Sequence, residues 1–241
     1  MKKRNAFTLA EVLITLGIIG IVAAMTLPNI VAKYKQKEMV VRAKKVYNTL
    51  NQALRLSVAQ NGEVSGWAYD LQKDTLGYVA KYWEPYFLAV GGFRSSGYAQ
   101  RLPFTTPNGQ SYGFGQADGT GQTRVFFKFN DGSVVWLISG HSSCKEYGTD
   151  ESGNQICIDG GYVNQKTATL AFDVNGVKGP NKVGSDFFRL EISTKGNLLV
   201  PKCHEKNDEQ VNNECSMQGL GECCLEKLIR DGWEMKDDYP W

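Results

Sequence analysis

The sequence predicts an α+β protein in which one long N-terminal helix packs on an antiparallel β-sheet domain. A predominantly apolar run occupies residues 7–31, and apolar residues then recur at three-to-four spacing as far as Asn61, where Gly62 provides a helix stop. Beyond this point the chain is rich in glycine and in short apolar segments, two of which flank a hairpin turn at residues 130–132. A long helix followed by antiparallel hairpins is typical of the α+β class.

The elements expected after the first helix are short. A helix is expected at residues 78–88, interrupted by Pro85, and residues 93–123 are expected to form a loop. The segments around the hairpin turn are rich in β-branched and aromatic residues, which favours strands. The predicted strands are residues 124–129, 133–138, 167–174, 187–193 and 198–200, and a closing helix is predicted at residues 222–230.

The overall composition is that of a globular protein. The 241 residues are 42% hydrophobic, and 27 basic side chains face 25 acidic ones. These values exclude a collagen-like, fully disordered or polycationic chain. Charged residues are nevertheless unevenly distributed along the sequence. Residues 33–55 contain seven basic side chains and one acidic side chain, whereas residues 144–241 contain 11 basic and 17 acidic side chains. The two regions are therefore expected to have different surroundings.

Residues 7–31 are long and apolar enough to span a bilayer. A helix of this length would cover a hydrocarbon core of roughly 30 Å. Thirteen of the residues are Leu, Ile, Val or Phe, and their summed insertion free energy outweighs a cost of roughly 3 kcal/mol for one charged side chain, Glu11. By the positive-inside rule, the basic residues 2–4 predict a cytoplasmic N-terminus and an exported remainder.

An ordinary secretory signal peptide is the alternative interpretation of this segment. It would combine the basic start, the apolar run and a small-residue cleavage site at residues 22–24. Such a signal gains nothing from Glu11, and it would not be followed by a helical pattern over residues 32–61. We therefore expect a transmembrane half at residues 7–31, an amphipathic half at residues 32–61, and an exported globular domain at residues 62–241.

The start of the chain resembles the leader of type IV pilins and type II secretion pseudopilins. Residues 2–6 read Lys-Lys-Arg-Asn-Ala, and residues 7–11 read Phe-Thr-Leu-Ala-Glu. In that family a prepilin peptidase removes a short basic leader just before a Phe, whose new amine is then methylated. The resemblance implies a leader of residues 1–6, cleavage between Ala6 and Phe7, and methylation of Phe7. The family usually has Gly before the cut, and since Ala is also small we still expect processing.

The resemblance also assigns Glu11 to filament assembly. An ionised carboxylate in hydrocarbon is costly and normally faces a partner. In the family this glutamate meets the N-terminal amine of a neighbouring subunit, which fixes the register of docking. Gly17, Gly20 and Pro28 lie where the family places residues that soften the helix. The implied fold is pilin-like, and the implied partners are other pilin or pseudopilin subunits, the prepilin peptidase, the inner-membrane assembly platform and membrane lipids.

The six cysteines predict disulfide bonds. They are Cys144, Cys157, Cys203, Cys215, Cys223 and Cys224. All lie in the part of the chain expected to be exported, where an oxidising compartment favours disulfides. We expect the first two to form a bridge, and the third and fourth to pair with the fifth and sixth in an order that the sequence leaves open. The alternative is a metal site made of the last four and His204, but this spacing matches no familiar zinc motif.

The densest polar motif occupies residues 173–186. Asp173, Asn175 and Asp186 could supply hard oxygen ligands to calcium, although the spacing lacks the later acidic ligand of an EF-hand. A tight loop between two strands, held by Asx turns, is the interpretation that the sequence favours. The run resembles one found in the C-terminal part of many pilin-like proteins. Apart from this calcium candidate, no metal or cofactor is expected.

Motifs of catalysis are missing from the sequence. It contains no nucleophile elbow, phosphate-binding loop or metalloprotease helix. We therefore expect a non-enzymatic subunit of a type IV pilus or type II secretion filament. It would cross the bacterial inner membrane once and then enter a periplasmic or cell-surface filament.

The alternative function is a membrane-anchored or secreted module that binds sugar or another ligand, for which Trp67, Trp83 and Trp241 are candidate contacts. The basic region at residues 33–55 suits lipid headgroups or acidic neighbours better than DNA, a partner that nothing else in the sequence supports.

Overall fold

The computed structural model describes most of the chain, as two compact units, Met1–Glu38 and Met39–Trp241. The described residues are 8–67, 75–94, 103–112, 124–138, 147–149, 155–157, 169–176, 178–193 and 197–241.

After the first helix, the described elements are short helices and strands. The helices are α1 (Leu9–Asn61), α2 (Thr75–Tyr82), α3 (Glu84–Ala89), α4 (Asp208–Glu214) and α5 (Cys224–Arg230), with a 3₁₀ turn at Val64–Gly66. The strands are β1 (Gly92–Arg94), β2 (Phe104–Thr105), β3 (Ser111–Tyr112), β4 (Arg124–Phe129), β5 (Val134–Ile138), β6 (Tyr147–Thr149), β7 (Gln155–Cys157), β8 (Thr169–Asp173), β9 (Phe187–Ser193) and β10 (Leu198–Pro201). The predicted α+β class is confirmed.

Six of the strands form one antiparallel sheet in the order β1-β4-β5-β8-β9-β10. The hairpin predicted at residues 130–132 joins β4 to β5, with Lys128 opposite Val134. Gly132 has φ +88° in its turn, a value that L side chains rarely adopt, so glycine is required there. The strands β2 and β3, like β6 and β7, form separate two-stranded sheets.

One face of the sheet packs on the second part of α1. The buried side chains of α1 recur at three-to-four spacing from Val40 to Ser57, as the sequence predicts, and Leu50 and Leu54 are fully buried. They belong to the same apolar cluster as Phe127 of β4. Most of the stability of this part of the helix therefore comes from tertiary packing rather than from helix propensity.

The opposite face of the sheet is also covered. Strand residues alternate between the two faces, so Phe126 joins a second cluster with Trp136 and Phe187, beneath Phe104 of β2. The ring of Phe104 lies 4.4 Å from that of Phe187, centroid to centroid. With apolar cover on both sides, the central strands are apolar on both faces rather than alternating apolar and polar.

The edge strand β10 is bonded by side chains of α1. The hydroxyl of Tyr47 donates to the carbonyl oxygen of Leu199 at 3.0 Å, and the N–H of Leu199 donates to Asn51 Oδ1 at 2.9 Å. An edge strand otherwise leaves such groups free to pair with another chain. These two bonds therefore fix α1 to the sheet and satisfy the backbone of one edge residue.

Several predicted elements need correction. The helix break falls at Trp83, because Pro85 occupies the first turn of α3, where its missing N–H is tolerated. Residues 93–123 are not all loop, since β1, β2 and β3 include some of them. Helix α4 was not predicted, although Asn207 and Gln210 form the capping box that starts it.

A half-buried charge cluster joins the sheet to the C-terminal region. Glu222 accepts hydrogen bonds from Arg189 Nη1 at 2.8 Å and from the hydroxyl of Tyr112, and it forms an ion pair with Lys202. Burial by itself would raise the pKa of Glu222, but the charge of Arg189 and the bonds from Lys202 and Tyr112 outweigh burial and lower this pKa to about 2.

The depressed pKa of Glu222 predicts a loss of stability in acid. A carboxyl whose pKa is lowered on folding stabilises the fold above its unfolded-state pKa, and this contribution disappears as pH falls towards the folded-state pKa. Near neutral pH we expect the free energy of unfolding of the full-length wild-type protein to be roughly 2–3 kcal/mol larger than that of the Glu222→Gln variant. This difference in free energy should disappear as the pH falls from about 4.5 to about 2. Denaturant unfolding monitored by tryptophan fluorescence at several pH values measures both the difference in free energy and its pH dependence.

The matched control is Glu205→Gln, which removes an exposed carboxylate. Its pH dependence should follow that of the wild type. The assignment fails if Glu222→Gln keeps the full acid slope of the wild-type protein.

Candidate assembly site

The first turn of α1 is closed by Thr8 and Glu11. The backbone N–H and the hydroxyl of Thr8 both donate to Glu11 Oε2, at 2.8 and 2.9 Å, and the N–H of Glu11 donates to Thr8 Oγ1 at 3.3 Å. This reciprocal arrangement is a capping box, with Thr8 as N-cap and Glu11 three residues later. The Glu11 carboxylate is therefore held at the N-terminal end of the helix, where a negative charge is favoured.

The capping role of Thr8 was not predicted from the sequence. The signal was present as Thr8-Leu-Ala-Glu11, which matches the capping-box pattern ahead of an apolar run. The predicted processing residues, Ala6 and Phe7, lie outside the described residues. The capping box therefore begins one residue after the predicted first residue of the mature chain.

The helix that follows this cap is apolar around its whole circumference. Leu13, Ile18 and Ile30 are each about 60% exposed, and the most apolar stretch of α1 buries no residue within the chain. The helix is long and apolar enough to cross a membrane by length and composition. A helix that is apolar on all sides requires lipid or other helices around it. The segment is thus consistent with membrane anchoring.

Gly17, Gly20 and Pro28 all lie inside α1, which continues through them. A Cβ atom added at Gly17 or Gly20 would meet no other atom within 4 Å, so packing within the chain does not require glycine at either position. The two are three residues apart and share one face of the helix. Their predicted helix-softening role concerns the filament and stays a prediction.

Two disulfide bonds cross-link the C-terminal region, and each of them ends on one of two cysteines that are adjacent in the sequence. Cys203 is bonded to Cys223, and Cys215 to Cys224, which is one of the two orders that the sequence left open. The alternative metal site of these cysteines is therefore wrong. The predicted partner bridge involves Cys144 and the side chain of Cys157, which lie outside the described residues. Each observed bridge stabilises by about 3 kcal/mol in the chain-entropy model.

This disulfide-tied region packs on the loop at residues 173–186. The hydroxyl of the buried Tyr239 donates to the carbonyl oxygen of Gly184. Gly184 has φ +83°, and a Cβ atom there would lie 2.7 Å from Cys224 Sγ. Glycine is thus required by both conformation and space, and the loop is held against the C-terminal disulfides.

The calcium candidates Asp173, Asn175 and Asp186 come together in this loop. Asp173 Oδ1 accepts the N–H of Asn175 at 2.9 Å, an Asx turn of the kind that the sequence favoured. Asp186 accepts the N–H groups of Asn181 and Lys182 at 2.8 and 2.6 Å. Burial raises the pKa of both carboxyls, and the charge of Asp186 raises that of Asp173 further.

The predicted site residues thus form two groups. Glu11, Gly17, Gly20 and Pro28 belong to the first compact unit, whereas the described cysteines and the calcium candidates belong to the second. The first group lies in the part of α1 whose large apolar side chains are exposed.

Comparison with family models gives two matches. The prokaryotic N-terminal methylation motif matches residues 1–27, and a family of unknown function (DUF6613) matches residues 29–91. No curated protein and no solved structure matches the chain. The methylation motif covers Ala6, Phe7 and Glu11, together with the first part of the apolar helix. This motif and the apolar helix that carries it support a type IV pilin-like family, with no particular member of that group indicated.

Proposed function

We propose that the protein is a non-enzymatic structural subunit of a type IV pilus or type II secretion filament. It would be cut between Ala6 and Phe7 by a prepilin peptidase, methylated at Phe7, and assembled through residues 7–31. The observation that carries this proposal is the capped, fully apolar start of α1, whose exposed side chains have no cover within the described chain.

The chemistry of Glu11 supports docking of subunits in one register. Thr8 supplies two hydrogen bonds to the carboxylate but no positive charge. In hydrocarbon an uncompensated carboxylate is costly, by roughly 3 kcal/mol on insertion scales. The amine of a neighbouring Phe7 would supply the missing charge and find free lone pairs on Glu11. Each incoming subunit would therefore be stabilised only where its amine meets a glutamate.

The open surface at Gly17 and Gly20 supports close approach of a second helix. Small residues at three- or four-residue spacing let helix backbones pack at short distance in a membrane. Since no atom of this chain occupies the space beside either glycine, a neighbouring subunit could use it. Pro28 has no N–H to donate within the helix, and neighbouring helices in a filament could satisfy the freed carbonyl.

The proposed location follows from the same segment. The basic residues 2–4 would hold the N-terminus in the cytoplasm, and the chain would cross the inner membrane once before the exported domain. An inner-membrane assembly platform would then pass the subunit from lipid into a periplasmic or cell-surface filament.

The alternative function, a sugar-binding module, is less well supported. Trp67 is 9% exposed and Trp83 is fully buried, and the Trp67 ring stacks on Tyr82 with centroids 4.4 Å apart. Rings buried in a core cannot stack on a ligand. This observation counts against Trp67 and Trp83, two of the three residues that suggested sugar binding.

Processing predicts a defined N-terminus. In a host with prepilin peptidase, N-terminal sequencing and intact mass should show loss of residues 1–6 and one added methyl group on Phe7. An Ala6→Gly variant, which restores the usual residue of the family, should be cut at least as fast. A first residue of Met25 would instead support the secreted module, and an intact Met1 would support a plain anchor.

The assembly proposal predicts that subunits dock only when Glu11 carries its charge. Glu11→Gln keeps hydrogen-bonding oxygen for Thr8 but removes the charge, whereas Glu11→Val removes both. We expect both variants to insert normally and to give at least about tenfold less sheared filament, because an unpaired partner charge costs more than 1.4 kcal/mol. Carbonate extraction reports insertion, and immunoblotting of the sheared fraction reports assembly.

The matched control is Thr15→Val, which removes a hydroxyl bonded to the carbonyl oxygen of Val12 in the same helix. It should assemble as the wild type does. Normal filament yield from Glu11→Gln would show that the charge of Glu11 does not direct docking.

A further inference from the structure

Four cysteines of the C-terminal region are paired in an interleaved order. Cys203 is bonded to Cys223, and Cys215 to Cys224. One end of each bridge therefore lies within the loop that the other bridge closes. A chain exported from its N-terminal end would present Cys203 and Cys215 before the other two. Pairing in order of appearance would thus give a bridge that differs from both bridges of the structure.

The entropy of loop closure does not select the native partners either. Cys215 is nine residues from Cys224 and eight from Cys223. The cost of closing a loop grows only with the logarithm of its length, so an unfolded chain closes these two loops almost equally often. A bridge between the adjacent Cys223 and Cys224 is disfavoured, because neighbouring Cα atoms are about 3.8 Å apart, less than a disulfide normally spans. We therefore expect about half of the chains that close a loop at Cys215 to use the wrong partner.

Only the folded region distinguishes the two adjacent cysteines. Cys224 lies with Cys215 in the main apolar cluster, whereas Cys223 lies with Cys203 and Val211 in a small separate cluster. Two of the three members of that small cluster are thus the bridged cysteines themselves. Helices α4 and α5 have seven residues each, too few for a helix that is stable on its own. The region therefore has little to hold its cysteines in place before the bridges form.

A chain with wrong bridges has no thiol with which to correct them. Disulfide exchange begins when a thiolate attacks a disulfide sulfur, and none of the cysteines that the structure describes is free. The native bridges are also buried, since Cys203 is 8% exposed and the other three cysteines are 1% exposed or less. The two clusters cannot form around wrong bridges, so the sulfur atoms of such bridges stay accessible. An external thiolate would therefore attack wrong bridges and spare native ones.

We propose that this chain is a substrate of a thiol–disulfide isomerase, a partner protein that carries a reactive thiolate. The proposal rests on export of the domain into an oxidising compartment, which is part of the proposed function, and it does not rest on filament assembly. An oxidant alone completes the bridges, but it leaves their order to chance wherever bridges form before folding. The isomerase corrects the order with no net oxidation.

Three thiolate attacks convert the other possible order, Cys203–Cys224 with Cys215–Cys223, into the native one. The isomerase thiolate attacks Cys223 Sγ, which forms a mixed disulfide and releases the Cys215 thiolate. The Cys215 thiolate attacks Cys224 Sγ, which forms one native bridge and releases the Cys203 thiolate. The Cys203 thiolate attacks Cys223 Sγ in the mixed disulfide, which forms the second native bridge and regenerates the isomerase thiolate. Each attack breaks one S–S bond and forms one, so the chain has two bridges before and after.

Refolding of the purified full-length protein in detergent tests the proposal. The reduced, denatured protein is oxidised in native buffer with diamide, which supplies no thiol. After removal of the diamide, one part of the sample receives a catalytic amount of a reduced Cys-X-X-Cys disulfide isomerase, and peptide mapping without reduction gives the fraction of chains with both native bridges. We expect about half or less before the isomerase is added and a rise of at least about 1.5-fold after it. A fraction that the isomerase leaves unchanged would show that the proposal is wrong.

This outcome is independent of the filament, because refolding in detergent involves neither the prepilin peptidase nor another subunit. If the isomerase acts but the protein never assembles, the filament function fails and this proposal stands. If filaments form and the isomerase has no effect on the bridges, this proposal fails and the filament function stands.

The matched control is the double variant Cys203→Ala/Cys223→Ala, in which Cys215 keeps only its native partner among the last four cysteines. The two substituted residues lie outside the main apolar cluster. We expect the Cys215–Cys224 bridge of this variant to form to the same extent with and without the isomerase. Mapping reports this bridge even if the variant is less stable than the wild type. An equal gain from the isomerase in the variant and the wild type would show that the interleaved bridges are not its target, and would overturn the proposal.

Discussion

The structure depends on the contrast between two parts of one helix. Up to Val31, α1 exposes large apolar side chains in every direction. From Val40 to Ser57 it buries one face in the core of the sheet domain. The free energy of apolar burial, about 25 cal/mol per Å², is therefore realised within the chain for the second part only. The first part can realise it only in lipid or against other helices, which makes membrane anchoring and assembly the natural use of its surface.

The sheet domain is held together by contacts among residues of the second compact unit. Tyr47 and Asn51 fix α1 to the edge strand β10. The half-buried Glu222 cluster and two disulfides tie the C-terminal region to the sheet. None of these contacts uses a residue of the first compact unit. Transfer from lipid into a filament would thus cost the domain no contact of its own.

The sequence predicts those elements whose apolar residues recur at one regular spacing. The apolar spacing of α1, the hairpin at residues 130–132 and strand β9 follow directly from such patterns. The sequence does not predict short elements that depend on tertiary contacts. One example is β2, whose Phe104 packs against Trp136 and Phe187. The disulfide order could not be predicted either, since Cys223 and Cys224 are adjacent in the sequence and only the fold separates their directions. The cap at Thr8 was not predicted because Thr8 lies inside the apolar segment 7–31, which was interpreted as a whole.

Zero-length carbodiimide cross-linking of purified filaments tests the central claim most directly. The reagent joins a carboxylate to an amine in contact with it, and only a link between two chains gives a covalent dimer. The account predicts a dimer whose cross-linked peptide joins Glu11 of one subunit to the N-terminal amine at Phe7 of the next. Filaments that contain this protein but give no such peptide would contradict docking through Glu11.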